Sequence, residues 1–316
     1  MKGSRVTEEG PTFVLAIDHR NSLRHWYTAI TGADEADPAA LRAAKVVVAE
    51  GLLAALAESA ESAGLGGLGG LGGLGGDSAL GGTAALLVDE EYGQDAIAAI
   101  RAAGQGVAIV VPAERSGQPE FSFEHGGQFG AHIAAAGPDV VKALVRYNPS
   151  GDQERNARSR AGLVELARWL DDHGLPLMLE LLVPPEPAQA APGFDETERP
   201  GLTLLAIREL REAGLSPAYW KVEGQPSTEA FAGLARATDG GRCLVLGRGE
   251  DAAAVGRWVA MAAAAEGFSG FAVGRTIWAG ALGGWLAGRT DRHATVAAIA
   301  RNYLHFTRIY LKNRRA

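Results

Sequence analysis

A single cysteine, Cys243, stands among 316 residues, so no disulfide can form within the chain. It lies in the apolar run Cys243-Leu244-Val245-Leu246, where a thiol acts as a small hydrophobe, and we expect it buried and inert. No uninterrupted apolar run reaches the roughly 20 residues of a membrane-spanning helix. The opening residues, with Lys2, Arg5, Glu8 and Glu9, contain no apolar signal-peptide core, so the chain reads as cytoplasmic. Positive charge is in deficit: 30 Lys and Arg face 37 Asp and Glu, a net charge of −7. That balance disfavours nucleic acid and anionic membrane as partners, and any anion site must be local. The seven histidines show no convincing ligand spacing. His125 and His132 fall on one predicted helix, a common surface arrangement, and no metal is expected. His19, just past the first strand, reads as a structural hydrogen-bonder more readily than a substrate contact.

Lysine is scarcer than the charge count implies. Only five of the thirty basic residues are lysine: Lys2, Lys45, Lys142, Lys221 and Lys312. A chain that draws its cationic surface from arginine nevertheless keeps lysine at two strand positions, 142 and 221. Arginine cannot form an imine because its guanidinium stays protonated, whereas a lysine amine can. Lys45, amid Ala-Ala-Lys-Val-Val-Val on a helix, reads as a surface lysine whose stem covers apolar neighbours.

Eight short apolar runs recur along the chain, at 12–17, 84–88, 106–111, 139–145, 176–182, 219–222, 243–246 and 270–273. Several are apolar throughout, as strands covered on both faces are. Between them lie helical stretches at 38–59, 94–103, 124–136, 154–173, 201–213, 228–237, 251–265 and 277–286, with a last helix at 291–312. Eight strand-then-helix units predict an α/β protein built as one (β/α)8 TIM barrel over residues 1–316, with an extra C-terminal helix. A doubly wound sheet would need a glycine turn after the first strand, and Ile17 is followed by Asp18-His19-Arg20. One segment departs from the rhythm: residues 64–76 read GLGGLGGLGGLGG. Its formal G-x-G-x-x-G match follows a helix and arises from any such repeat. We expect a flexible insert on the face away from the chemistry.

Barrel enzymes place their reactive groups at the C-terminal ends of strands. Here those ends carry Asp18, Asp89, Glu114, Lys142 with Arg146, Glu180, Lys221 with Glu223, Arg248, and Gly274-Arg275. Burying such groups is costly unless they pair or serve a site. Lys221 and Glu223, two apart on a strand, share a face. Gly274 and Arg275 form a strand-to-helix turn suited to a phosphate, with Arg248 contributing from the preceding strand.

The segments FVLAIDHRNSL, LLVDEEYG, VKALVRYNP, LELLVP, YWKVEG, VLGRG and GFAVGRTIWAGAL resemble, in order, a class I aldolase family. Its members include the C-terminal 5-dehydro-2-deoxyphosphogluconate aldolase domain of bifunctional kinase–aldolases of myo-inositol catabolism. Tagatose-bisphosphate and sulfofructose-phosphate aldolases are more distantly similar. The resemblance runs from about Phe13 to Tyr310, excluding the Gly/Leu insert. It implies cleavage of 2-deoxy-5-keto-gluconate 6-phosphate to dihydroxyacetone phosphate and malonate semialdehyde. It implies Lys221 as the imine lysine, Lys142 as a second active-site lysine, Glu180 as the fifth-strand acid, Asp18 as a substrate-binding acid and Arg275 in the phosphate loop.

The expected chemistry is therefore attack of Lys221 on a ketone, with Glu180 or Glu223 moving protons. Such an amine needs a dry pocket and a neighbouring cation, here Lys142, to be nucleophilic near neutral pH. Arg248, Gly274 and Arg275 would hold the phosphate, and Asp18 or Arg146 the hydroxyls or a carboxylate. The imine makes a cofactor or metal unnecessary. The expected partner is a small sugar phosphate, and the protein is expected to be a homo-oligomer. Two rivals stand beside this reading. One is a metal-dependent barrel lyase or isomerase with Asp89, Glu114 and Glu180 as ligands. The other is a non-catalytic sugar-phosphate sensor.

Overall fold

Strand alternation sets the architecture. The structure, a computed structural model, describes residues 10–62 and 80–315. Eight parallel strands close into a barrel in sequence order. They are β1 (Thr12–Ile17), β2 (Thr83–Val88), β3 (Ala108–Pro112), β4 (Val140–Arg146), β5 (Leu177–Leu182), β6 (Tyr219–Val222), β7 (Arg242–Leu246) and β8 (Phe268–Val273). Each predicted strand end lies within two residues of the observed one. Alternate residues of every strand face opposite layers. Val14, Ala16, Ala85, Leu87, Ala108, Val110, Val140, Met178, Tyr219, Leu244 and Ala272 fill the barrel interior. Their chain neighbours, among them Phe13, Leu15, Leu86, Ile109, Val141 and Leu179, join the larger core between sheet and helices. Both faces are covered, hence the unbroken apolar runs. The barrel closes where Thr12 lies beside Gly270. There φ is +140° and a Cβ would come 1.8 Å from the Thr12 carbonyl oxygen, so the seam requires glycine.

Among the described residues the helices are α1 (Asn21–Thr31), α2 (Pro38–Ser62), α3 (Glu90–Ala103), α4 (Phe129–Ala136), α5 (Gln153–Asp172), α6 (Phe194–Thr197), α7 (Arg199–Glu212), α8 (Thr228–Ala237), α9 (Ala252–Ala264), α10 (Arg275–Leu286) and α11 (Arg292–Asn313). Side chains at the N-caps Asp89, Asp152, Ser227, Asp251 and Asp291 accept a backbone N–H from the first turn, satisfying an otherwise unpaired donor. α1 and α10, whose first residues line the barrel mouth, have no side-chain cap. The extra C-terminal helix α11 packs on α2 and covers the closing seam. Its Tyr303 and Tyr310 hydroxyls donate to the carbonyls of Phe13 and Phe268, each at 2.8 Å.

Three expectations change. Lys45 is no surface lysine: it is fully buried, and its ammonium donates to the carbonyls of Ile17 and His19 and pairs with Asp89. The predicted helix at 124–136 begins later. Glu114 and Phe123 form an antiparallel bridge, a 3-10 turn follows at Gly126–Gln128, and His125 therefore precedes the helix that carries His132. Helix α1 goes unread in the sequence although its eleven residues are amphipathic; it buries only Leu23. Cys243 is buried as expected, its thiol pushed up to about 12 by that burial. The Gly/Leu insert at 64–76 lies outside the described residues.

Candidate active site

The interior layers turn polar toward the C-terminal ends of the strands. Ala16 is followed two residues on by Asp18, Val140 by Lys142, Met178 by Glu180, and Tyr219 by Lys221. Beyond β3 the same alternation brings Glu114 inward from Val110 and Pro112. Period two thus projects five charged groups into one ring above an apolar floor. Above them opens a cavity of about 460 Å³, within the range of small-molecule sites.

Lys142 lies at the centre of the ring. Its Nζ is 2.9 Å from Asp18, 2.7 Å from Glu114 and 2.9 Å from Glu180. Three carboxylates match its three N–H donors. Burial disfavours the ammonium, but these carboxylates outweigh it and hold Lys142 well above the ordinary lysine value. Burial likewise opposes ionisation of Asp18 and Glu180, yet the charges of Lys142 and Lys221 keep both below the usual carboxylate range. Glu114 goes the other way: burial raises it, and Lys142 only partly compensates. Glu180 is the shared element, because the same Oε2 lies 2.9 Å from Lys142 and 2.9 Å from Lys221. The register places Glu180 directly beside Lys221 on the neighbouring strand. Among the described residues Lys221 has this one carboxylate within ion-pair distance, and it lines the cavity.

Glu223 shares the face of Lys221, as its spacing predicts, but does not pair with it. Its carboxylate accepts the Val183 N–H at 2.8 Å and lies 3.5 Å from Arg199 and 3.2 Å from Arg248. Burial raises it, and Arg199 partly offsets the shift. Arg248 also meets Asp195 at 2.7 Å, and Asp195 in turn holds Arg199 at 2.5 Å. Arg275 opens α10 and donates to the Arg248 carbonyl at 2.7 Å, joining the last two strand ends as expected. Arg146 lies on the far side, donating to the Gln118 carbonyl at 2.9 Å. Eight of the described lining residues are Lys or Arg and four are Asp or Glu. A chain of net charge −7 therefore concentrates positive charge at this mouth, which favours anionic ligands.

The structure thus gathers Asp18, Arg146, Lys142, Glu180, Lys221, Glu223, Arg248, Gly274 and Arg275 around one cavity. Sequence reasoning gave Glu114 only a metal-binding role and overlooked Arg199 and Arg20. Glu114 was legible as the next inward position after Pro112. Arg20, whose guanidinium bonds Glu124 at 2.5 Å and the Glu114 carbonyl at 2.6 Å, carries no local signal. His19 lines the same cavity, and burial lowers it to about 4 against the pull of Asp18. The rival ligand set Asp89, Glu114 and Glu180 does not converge: Asp89 pairs with Lys45, and Lys142 stands between the other two. A different group does converge, away from this cavity: Glu90, His125 and His132, against the expectation of unrelated surface histidines.

No curated protein matches the chain. Its fold is similar to that of a crystal structure of Cgl0159 from Corynebacterium glutamicum, at 18% identity over 94% of this chain and 87% of that one, with a TM-score of 0.54. It is also similar to fructose-bisphosphate aldolase from Plasmodium falciparum, solved with TRAP and a small-molecule inhibitor. That likeness has 10% identity over 99% of this chain and 94% of that one, with a TM-score of 0.66. At such identities the likeness is one of fold, and the fold is the barrel that the strand pattern predicts. The family model described as an uncharacterized protein conserved in bacteria (DUF2090) matches residues 3–314, and the chain belongs to that family.

Proposed function

We propose that this protein is a class I aldolase that cleaves a phosphorylated keto-sugar acid through an imine at Lys221. The observation that carries the reading is the pair of lysines sharing Glu180 in a buried ring. Lys142 is saturated by three carboxylates and stays a cation. Lys221 has a single partner and faces the cavity, so it is the amine able to leave its ion pair and attack. Its nitrogen adds to the substrate ketone. Glu180, held ionised by the two lysines, takes a proton from the attacking nitrogen. The nitrogen gives up two protons in all, one on leaving its ion pair and one after attack, and both pass by way of Glu180 to the carbinolamine oxygen, which leaves as water and gives the iminium. A carboxylate of the ring removes the proton of the hydroxyl on the carbon to be released. The C–C bond breaks, its electron pair enters the iminium to give an enamine, and an aldehyde departs. Protonation at the enamine carbon and hydrolysis restore Lys221 and release the ketone.

The excess of cations supports a phosphorylated substrate, with Arg275, Gly274 and Arg248 at the open first turn of α10. Arg146 faces the opposite rim, where a carboxylate is the fitting group. The sequence resemblance supports 2-deoxy-5-keto-gluconate 6-phosphate as substrate, with dihydroxyacetone phosphate and malonate semialdehyde as products. Borohydride reduction with dihydroxyacetone phosphate tests the chemistry. A stable adduct should map by peptide mass spectrometry to Lys221, and Lys221→Arg should abolish it while leaving the circular dichroism spectrum unchanged. An adduct at Lys142 would invert the roles of the two lysines. No adduct on any lysine would remove the imine reading.

A further inference from the structure

The strongest unassigned constellation lies outside the barrel. Glu90 is the first residue of α3, His125 lies in the β3–α4 connection just before its 3-10 turn, and His132 stands on α4. One ligand atom from each falls within 4.8 Å of the other two. The two imidazoles are stacked, with ring centroids 3.5 Å apart and planes 6° from parallel. His125 Nε2 is 3.8 Å from Glu90 Oε2. Among the described residues, no hydrogen bond reaches a ring nitrogen of either histidine. Face-to-face stacking is not what an aromatic pair adopts on its own account, since offset and edge-on arrangements are preferred. An ion held by both rings would turn them out of this stack until a nitrogen of each points at one centre, and the three ligand atoms already lie within 4.8 Å of one another. With metal–nitrogen bonds of about 2.0–2.1 Å at tetrahedral angles, the two nitrogens stand roughly 3.3–3.4 Å apart.

We propose that Glu90, His125 and His132 form a three-ligand site for a divalent first-row transition metal of the zinc type, with the remaining position open to solvent beside the exposed His132. Two imidazoles and a carboxylate favour such an ion over calcium or magnesium, which prefer oxygen ligands throughout. The site lies apart from the cavity of the barrel, since its ligands do not line it, and it depends on no part of the aldolase reading. It ties the start of α3 to the β3–α4 connection. Both ligating segments adjoin residues that hold the active-site loops. Glu124, next to His125, holds Arg20, which in turn grips the Glu114 carbonyl. Asp89, next to Glu90, holds Lys45 beneath Ile17 and His19. A bound ion therefore braces the loops carrying Asp18 and Glu114.

The test uses untagged, chelator-treated full-length protein titrated with zinc chloride by calorimetry and with cobalt chloride by visible absorption. One equivalent of each ion should bind, and cobalt should show the d–d bands of a low-coordinate site with nitrogen ligands. His132→Ala and Glu90→Gln should each weaken binding on the order of tenfold or more, because each removes a ligand. Zinc should raise the Tm of the wild-type protein and leave that of His132→Ala unchanged, since an ion held only by the folded state stabilises it. The absence of saturable binding would overturn the proposal. So would zinc binding of wild-type strength in both variants, which would place the ion elsewhere, for instance on the carboxylates of the barrel mouth.

Discussion

Lys45 is the residue at which local reading and structure part most sharply. Its neighbours in the chain are apolar, and on a lone helix its amine would reach water. In the barrel the same amine meets three acceptors and no solvent. It fixes the carbonyls on either side of Asp18 and so sets where that carboxylate points. Lys45→Met would leave Asp89 buried without its cation, a loss of about 3–5 kcal/mol for a broken buried pair. Urea unfolding should show it, and on the proposed reading kcat for aldol cleavage should fall with it. A stability change under about 1 kcal/mol would mean that the pair carries little. His19 supplies a pH-dependent counterpart. Burial lowers it from 6.5 to about 4, so between those values the unfolded chain takes up a proton that the folded chain refuses. The stabilisation from neutral His19 is thus full above pH 6.5 and is lost as pH falls toward 4, by up to about 3 kcal/mol. His19→Asn should flatten the acid limb of a stability-versus-pH curve over this window. Parallel curves for the two proteins would exclude His19 as its source.

Elements were far more legible than their contacts. Eight strands and their crossover helices announce themselves by apolar runs and caps, both local properties of the chain. Helix α1 is the exception: its period is present in the sequence but goes unread, and it packs through Leu23 and through Trp26 edge-on to Trp278 at 5.4 Å. How the elements are pinned together was not legible. Gly51 on α2 lies under Ile299 of α11, where a Cβ would come 2.4 Å from the isoleucine methyl. The two helices therefore touch through a missing side chain. Gly51→Leu should force them apart and lower stability by about 1–3 kcal/mol or more, readable as a fall in Tm. Tyr303→Phe, which removes only the hydroxyl bonded to Phe13, should cost about 0.5–1.5 kcal/mol. An unchanged Tm in Gly51→Leu would show that α11 is free to shift on α2.

For the molecule as a whole, the cavity opens on one face, where the proposed reading places binding. The cationic mouth lies at the C-terminal ends of the strands, and on the proposed reading Arg275, exposed at the start of α10, is an anchor for the phosphate. Arg275→Ala should weaken dihydroxyacetone phosphate binding by about 1.5–3 kcal/mol and leave dihydroxyacetone almost unaffected, as calorimetry can compare. Equal losses for the two ligands would make Arg275 a structural residue. α2 ends at Ser62 and β2 begins at Thr83, both on the opposite face. Shortening residues 65–76 to a short linker should therefore leave kcat and Tm close to wild type, because loop closure costs little more for long loops than for short ones. A large loss of activity would refute the expectation that the insert takes no part in the chemistry.

The sequence by itself determined the barrel, the order of its strands and which residues stand at the strand ends, since the two-residue alternation that turns Val140 into Lys142 and Tyr219 into Lys221 is local. Only the tertiary structure decided who pairs with whom. Lys142 finds Asp18 from β1, Glu114 from beyond β3 and Glu180 from β5. Glu223 turns from Lys221 to Arg199 and Arg248, and His125 comes to face His132 across a glycine turn. These partners lie far apart in the chain or across an irregular turn. Their meeting depends on the tilt and stagger with which eight strands close, a property of the whole ring that no short stretch of sequence contains.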